Sequence, residues 1–364
     1  MQSMNPASVV IAIPVKNAEA QLGACLHSLG AQTRKFDRLV LLLNNCTDAS
    51  LGVCNQFAAQ QPGVEVFEKT LSGSLASAAE ARRLALHYAA APGPDSIILT
   101  TDADAVLERS WIEKNMREIE NGAQVVCGVT KTDPLDAGNL QDVLHLDHMR
   151  ERVLLDILDE IAHLVDPDPN DPWPRHQQQS GASIAVTRDI FYLASGMPHE
   201  ATVEDQALVE RLRLVDARIR HAPDIVVNVS GKPARGMGIV EAARRRMRQQ
   251  DALADEKLEP AIDALRRATA RARMRAVRQG RENEGALAQD LLIDPVEMQR
   301  ILAAPFHGQA WAAVQAASPV LRYRRRVAFA GLDRETRIAL ELRDRLRIEN
   351  QAAEGPQYAV RPDA

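Results

Sequence analysis

The sequence predicts an α/β protein built around a mainly parallel sheet, with a helical region appended. Three observations carry this. Short apolar runs alternate with stretches of helical periodicity through about residue 130. One run, Ser96 to Thr100, ends abruptly in Thr101-Asp102-Ala103-Asp104. Beyond residue 240 the composition shifts to Ala, Arg, Leu and Gln with few β-branched residues.

Taken in order, Val9 to Val15 is a continuous apolar strand that ends at Pro14-Val15-Lys16-Asn17. Ala18, Leu22, Cys25, Leu26 and Leu29 then recur at helical spacing, and Arg38 to Leu43 gives a second buried strand. Strand, helix, strand is the unit of a parallel sheet. The second strand ends in Asn44-Asn45-Cys46-Thr47-Asp48, short polar side chains suited to a turn and a helix cap. A third strand, Val64 to Phe67, leads through Thr70 to Ser74 into a helix carrying Glu80, Arg82 and Arg83. An arginine there can hold a diphosphate bidentately or solvate a surface face.

The strand at Ser96 delivers Asp102 and Asp104 to the carboxyl edge of the sheet, where open α/β sheets bind ligands. Side chains at i and i+2 of an extended backbone point to one side, about 6 to 7 Å apart. Two carboxylates so placed repel, and a divalent metal carrying phosphate relieves that repulsion. The competing reading is that Asp104 caps the helix beginning near Ser110 while Asp102 is a solvated loop residue. A helix over 110–120 and a strand over 124–130 follow. The first turn has no GxGxxG, which disfavours a dinucleotide oxidoreductase.

Between Gly138 and Val165 lies a long amphipathic helix with Leu140, Val143, Leu144, Met149, Val153, Leu154, Ile157, Leu158 and Ile161 on its apolar side. It runs into Asp166 to His176, where four prolines in eight residues impose a stiff extended loop. Trp173 and His176 in that loop either wall an acceptor pocket or pack a rigid crossover. Ala182 to Thr187 is strand-like, Ser195 to Pro198 is a sharp turn, and Glu204-Asp205 opens a helix. Acids at that position cap the helix dipole, or one of them serves as a general base. Arg218 to Ser230 is a last strand, followed by a glycine-flanked loop with Lys232 and Arg235, two cations able to fold over an anion.

Composition bounds the rest. The 364 residues, 46% hydrophobic and 26% charged with a net charge of -5, are ordinary for a soluble protein and argue against a nucleic-acid partner held by its phosphates. Cys25, Cys46, Cys54 and Cys127 lack zinc-ligand spacing, and nothing at the N-terminus resembles a signal peptide. The expectation is a cytoplasmic protein with reduced thiols. No apolar run approaches the ~18 residues of a membrane span.

Ile13-Pro14-Val15-Lys16-Asn17, Asn44-Asn45-Cys46-Thr47-Asp48, Ala81-Arg82-Arg83, Thr101-Asp102-Ala103-Asp104 with Trp111, Gly181-Ala182-Ser183, and Val203-Glu204-Asp205 with Leu208 and Arg211 occur in the order found in family 2 glycosyltransferases. The chain resembles that family over about residues 9 to 240. The resemblance implies a GT-A fold, a Rossmann-like mixed sheet, and inverting transfer of a sugar from a UDP-, GDP- or dTDP-sugar to a hydroxyl acceptor. Pro14, Asn17 and the Asn44 to Asp48 loop would line the nucleoside pocket. Asp104 would bind Mg²⁺ or Mn²⁺ bridging the phosphates, with Asp102 toward the ribose and the metal. Asp205 would be the base and Glu204 would orient it, while Lys232 and Arg235 would close on the diphosphate.

Two departures stand out. Asn44 replaces the acid common at the base-recognising position, which changes a pure acceptor into a donor and acceptor. No histidine lies at 230–236 to complete a metal site, so the ion is expected to arrive with the donor; His221 lies earlier. The absence of a Gln-x-x-Arg-Trp element and of membrane-spanning runs argues against a processive polysaccharide synthase.

The expected organisation is a GT-A domain over 1–238 (nucleotide half 1–130, acceptor half 131–238), a helical extension over 239–354 and a disordered tail at 355–364. The extension should carry helices at 239–255, 260–277, 284–292, 295–303 and 335–350, with its arginines either paired to interspersed acids or facing an acidic surface. It covers the acceptor site or makes a homodimer. Two other functions fit parts of the sequence. Asp102 to Val106 matches the nucleophile motif of haloacid-dehalogenase-like phosphatases, although three strands precede it here. A non-catalytic sugar-nucleotide-binding scaffold would keep the fold alone.

Overall fold

A computed structural model describes residues 7–91, 96–132, 139–199, 204–230, 254 and 258–354. The chain divides into two compact units, one of residues 1–135 and 170–233, the other of 136–169 and 234–364.

In the first unit the apolar runs become strands β1 (Ser8–Val15), β2 (Arg38–Asn44), β3 (Val64–Lys69) and β4 (Ser96–Thr100). They are separated by helices α1 (Glu19–Gly30), α2 (Ser50–Ala58) and α3 (Ala78–Ala90). β1 pairs in parallel with both β2 and β4, and β2 with β3, so all four strands end at one edge. Alternate residues explain why they read as unbroken apolar runs: both faces of β1, β2 and β4 are covered. Each fully buried Leu, Ile or Val contributes roughly 1.5–3 kcal/mol.

The remaining strands turn the sheet into a mixed one. β5 (Ala105–Leu107), α4 (Trp111–Glu120), β6 (Val125–Thr132), β7 (Ile184–Thr187), α6 (Arg188–Leu193), α7 (Glu204–Leu214) and β8 (Ile219–Val229) follow, with α5 of the second unit inserted after β6. The eight strands lie in the order β3-β2-β1-β4-β7-β6-β8-β5, with β7 antiparallel to β4 and β6, and β5 antiparallel to β8. This is the expected α/β architecture, with a sheet that is mixed. The short β5 and α6 were not legible as elements in the sequence; a three-residue strand has too little period to register.

The second unit is helical. α5 (Asn139–Val165), α8 (Ala261–Arg278) and α12 (Leu332–Glu354) share a core of Leu154, Ile157, Leu158, Ile161, Leu332 and Ala339. The other face of α8 meets α9 (Glu284–Asp290), α10 (Pro295–Leu302) and α11 (His307–Ala317) around Met274, Leu287, Met298 and Val314. The unit therefore takes in α5 as well as the residues beyond the composition change. Met149 and Val153, read on the apolar side of α5, are half exposed, because the buried stripe runs through Leu154, Leu158 and Ile161. Arginines here pair with acids as the interspersed charges suggested: Arg271 and Arg275 on Asp166, Arg343 and Arg347 on Glu160. Most of the helix read over 239–255, the loop of Lys232 and Arg235, and the tail 355–364 lie outside the described residues. No helix among the described residues is long and apolar enough to cross a membrane.

Candidate active site

The shared carboxyl edge of β1, β2, β3 and β4 brings the sequence-predicted residues together, and asparagines lock its loops. Asn17 and Asn45 both adopt positive φ, 48° and 51°, a conformation Asn tolerates better than most residues. Asn17 Oδ1 accepts from the Thr47 N–H at 2.8 Å, tying the β1 loop to the β2 loop. The Asn45 amide donates to the Leu71 carbonyl at 2.9 Å and accepts from the Leu71 N–H at 3.0 Å, tying β2 to β3. Asp48 accepts from the Glu19 and Ser50 N–H groups, both at 3.1 Å, while Glu19 accepts from the Ala49 N–H at 2.8 Å. The two acids thus satisfy the starts of both α1 and α2. Pro14 is half-buried in β1 opposite Leu42. Asn44 is fully buried, with its Nδ2 lacking a hydrogen-bond partner among the described residues.

At the centre stands Arg82. The sequence offered it as a diphosphate ligand or a surface residue; the structure buries it and turns its nitrogens to protein groups. Nη1 donates to the Thr100 hydroxyl at 2.9 Å and to the Gly181 carbonyl at 3.1 Å, and Nη2 to Asp102 Oδ1. Nε lies 3.2 Å from Asp205 Oδ1 and 3.7 Å from Glu204 Oε1. One buried cation thereby gathers the acid at the end of β4 and the acid pair at the start of α7. Its neighbour Arg83 instead forms a two-pronged pair with Glu80 at 2.7 and 2.6 Å.

The carboxylates differ in electrostatics. Burial raises the pKa of Asp205 above the ordinary 3.8, against the pull of Arg82 and the Gly181 N–H, and Glu204 and Asp102 add to the rise. Burial and then the charge of Asp102 likewise raise Asp104. Asp102 has one oxygen on Arg82, and Asp104 sits half-buried beside it. Among the described residues no three His, Cys, Asp or Glu side chains are placed to hold a metal by themselves. Two carboxylates without a third protein ligand suit a magnesium-like ion, which keeps waters and takes substrate phosphates.

Gly181 is a positioning residue that the sequence motif contained without revealing its purpose. A Cβ on it would lie 2.5 Å from Arg82 Cζ and 2.6 Å from its Nε, and against Asp205 Oδ1. The turn Gly181–Ser183 is held by Trp111, whose indole N–H donates to the Ser183 hydroxyl at 3.0 Å. Gly181→Ala should therefore push Asp205 and Arg82 off position. A displacement near 1 Å costs about 10²-fold in turnover. Steady-state kinetics checks this, and unchanged kcat would show that the cluster relaxes freely.

The proline-rich loop has a different hub. Asp171 accepts from the His221 backbone N–H and pairs with its Nδ1, both at 2.8 Å, and Arg175 and Arg220 lie 3.7 and 3.3 Å away. His176 is buried: Nδ1 accepts from the Gln178 N–H at 3.1 Å, so Nε2 carries the proton and donates to the Cys127 carbonyl at 3.1 Å. One ring nitrogen is committed to the loop's own backbone and the other to β6, whereas Trp173 is 40% exposed. Burial, then the neighbouring His221, pushes the His176 pKa down to about 4. Between pH 6.5 and 4 the unfolded chain binds a proton that the folded chain refuses, so stability present above pH 6.5 is lost as pH falls. Melting temperature measured from pH 7 to 4.5 should drop more steeply in the wild type than in His176→Gln; parallel curves would place the acid sensitivity elsewhere.

The four cysteines are free, and Cys25, Cys54 and Cys127 are buried with raised pKa values, chiefly through burial. Burial disfavours the thiolate at these three.

The motif order, the strand edge and the buried carboxylate cluster agree with a match of residues 10–163 to the family described as glycosyl transferase family 2. Over this region the chain is similar to glycosyl transferase family 2. That match supports a glycosyltransferase over the phosphatase reading of Asp102. Solved structures are similar at low identity. The mannosyltransferase PcManGT from Pyrobaculum calidifontis, in complex with GDP-Man and Mn²⁺, is 18% identical, with 85% of this chain and 86% of that chain covered and a TM-score of 0.46. S. aureus TarS with UDP-GlcNAc is 15% identical, with 96% and 93% covered and a TM-score of 0.46. Glucosyl-3-phosphoglycerate synthase from M. tuberculosis is 15% identical, with 72% and 81% covered and a TM-score of 0.38. No curated protein sequence matches the chain.

Proposed function

We propose that this protein is a family 2 glycosyltransferase that transfers a sugar, with inversion, from a nucleotide-diphospho-sugar to a hydroxyl acceptor, using Asp205 as the base. The observation that carries the reading is the Arg82 cluster, which fixes Asp102 and Asp205 to one guanidinium. A hydroxyl is a poor nucleophile at neutral pH. Asp205 takes its proton as the oxygen attacks the anomeric carbon, and the bond from that carbon to the diphosphate breaks on the opposite side. Its raised pKa brings proton affinity closer to that task, and such a base is worth roughly 10² to 10⁴ in rate.

Asp104 and Asp102 would hold Mg²⁺ or Mn²⁺, which when bound stabilises the negative charge of the leaving diphosphate. Arg82 acts beneath the substrates: it keeps Asp102 and Asp205 at a set separation and offsets their mutual repulsion. Glu204 shares the same cation and limits the freedom of Asp205. Pro14, Asn17, Asn44 and the loop to Asp48 border the nucleoside, with the Asn44 amide as a donor for it, and Lys232 and Arg235 supply cations for the diphosphate.

Thermal shift against UDP, GDP, dTDP, ADP and CDP, each with Mn²⁺ and with EDTA, tests the reading. A ligand at 100 times its dissociation constant stabilises by about 2.7 kcal/mol, a shift of a few degrees. One nucleotide should act in Mn²⁺ only, and Asp104→Ala should lose that shift. A shift of equal size in EDTA would remove the metal from the proposal.

A further inference from the structure

The second unit contains a cationic cavity. Its volume is about 260 Å³, and Asp263, Arg266 and Arg267 of α8, with Val320, Leu321, Tyr323 and Arg325 of the segment before α12, line it. That is below the roughly 300–1,000 Å³ of sites for drug-sized molecules, and suits a single small anionic group. The chain here reads Arg322-Tyr323-Arg324-Arg325-Arg326, and all five residues are exposed.

Charge is unbalanced around the cavity. Among the described residues Arg266, Arg267, Arg324 and Arg325 pair with two carboxylates, Asp263 and Glu259. Glu335 acts on Arg325 from farther off, and its carboxylate already accepts from the Ala261 N–H at 2.7 Å. Arg267 is spent: it donates to Glu259, Gln315 and the Leu321 carbonyl. Arg266 and Arg325 are not. Among the described residues Arg266 donates to Asp263 through Nη1 and Arg325 through Nε, and their side chains are 51% and 62% exposed. Each guanidinium keeps further N–H donors beside one wall of the cavity. Tyr323, 81% exposed, adds a phenol at its rim, an unusual exposure for a large aromatic residue without a binding task.

We propose that this cavity binds a phosphate group, held by the forks of Arg266 and Arg325 with Tyr323 at the rim. Guanidinium pairs match phosphate oxygens in geometry as well as charge, and Asp263 spaces the two arginines while weakening the site. The phosphate belongs either to a soluble phosphate compound or to a lipid headgroup.

Calorimetric titration of the full chain with inorganic phosphate in EDTA is the test. Saturable binding is expected, weakened at least about tenfold in Arg266→Ala/Arg325→Ala and less in the double Lys variant, which keeps charge without the fork. Asp263→Asn should tighten binding several-fold, a gain that misfolding cannot produce. Absence of saturable binding, equal affinity in the double Ala variant, or no gain in Asp263→Asn would overturn the proposal. Cosedimentation with phosphatidylglycerol but not phosphatidylcholine vesicles, lost in the double Ala variant, would assign the phosphate to a lipid. Phosphate binding without vesicle retention would assign it to a soluble compound.

Discussion

Asp205→Asn should lower kcat at least about 10²-fold while leaving donor affinity within a factor of about three. The asparagine keeps the shape of the side chain and its place beside the Gly181 N–H and the Arg82 guanidinium. It cannot take a proton from the acceptor. Because Asp205 belongs to α7 and the proposed nucleotide site to the edge of β1, β2 and β4, donor binding has little reason to change. The pH profile separates this from a structural defect. In the wild type, kcat/KM should fall as pH drops through the raised Asp205 pKa, since the protonated acid is no longer a base. That limb should vanish in the variant. Full turnover in Asp205→Asn would move the base to another residue.

Arg82→Met should be destabilising as well as inactivating. Methionine follows the aliphatic stem but leaves Asp102, Glu204 and Asp205 facing one another without their shared cation. Breaking a buried ion pair by removing one partner costs roughly 3–5 kcal/mol, because the remaining charge stays desolvated. In a folded unit of this size that is a loss on the order of 10 °C in Tm. Arg82→Lys keeps the charge but cannot reach Thr100, Gly181, Asp102 and Asp205 at once, so it should recover part of the stability and little of the rate. The outcome decides between the two roles open to Arg82. A diphosphate ligand would, when removed, weaken donor binding and leave the donor-free protein as stable as before. A positioning residue would lower Tm in the absence of any donor.

The contrast between Arg82 and Arg83 shows where local reading stops. They are adjacent, on one helix, with similar neighbours; one is buried under three carboxylates and the other pairs with Glu80 a turn away. The second pairing lies within the reach of i,i+3 spacing. The first depends on residues 20 and 123 positions away in sequence, which no local period records. His176 makes the same point. Its loop was legible as stiff from the prolines, but whether the ring faces a substrate or the Cys127 carbonyl was settled by the pairing of β6 with β8 and by Asp171.

By itself the sequence determined the parallel strands, since both faces of a covered strand must be apolar, and it determined that two aspartates end the fourth of them. The order of its motifs marked the family. It also marked the change to helix beyond the last strand. Only the tertiary structure decided that α5 joins the later helices, that β5 returns against β8, and that Arg82 lies between Asp102 and Asp205 with Gly181 keeping the space clear. Burial of a charge is a property of everything packed around it, and the groups that offset its desolvation come from three separate stretches of chain.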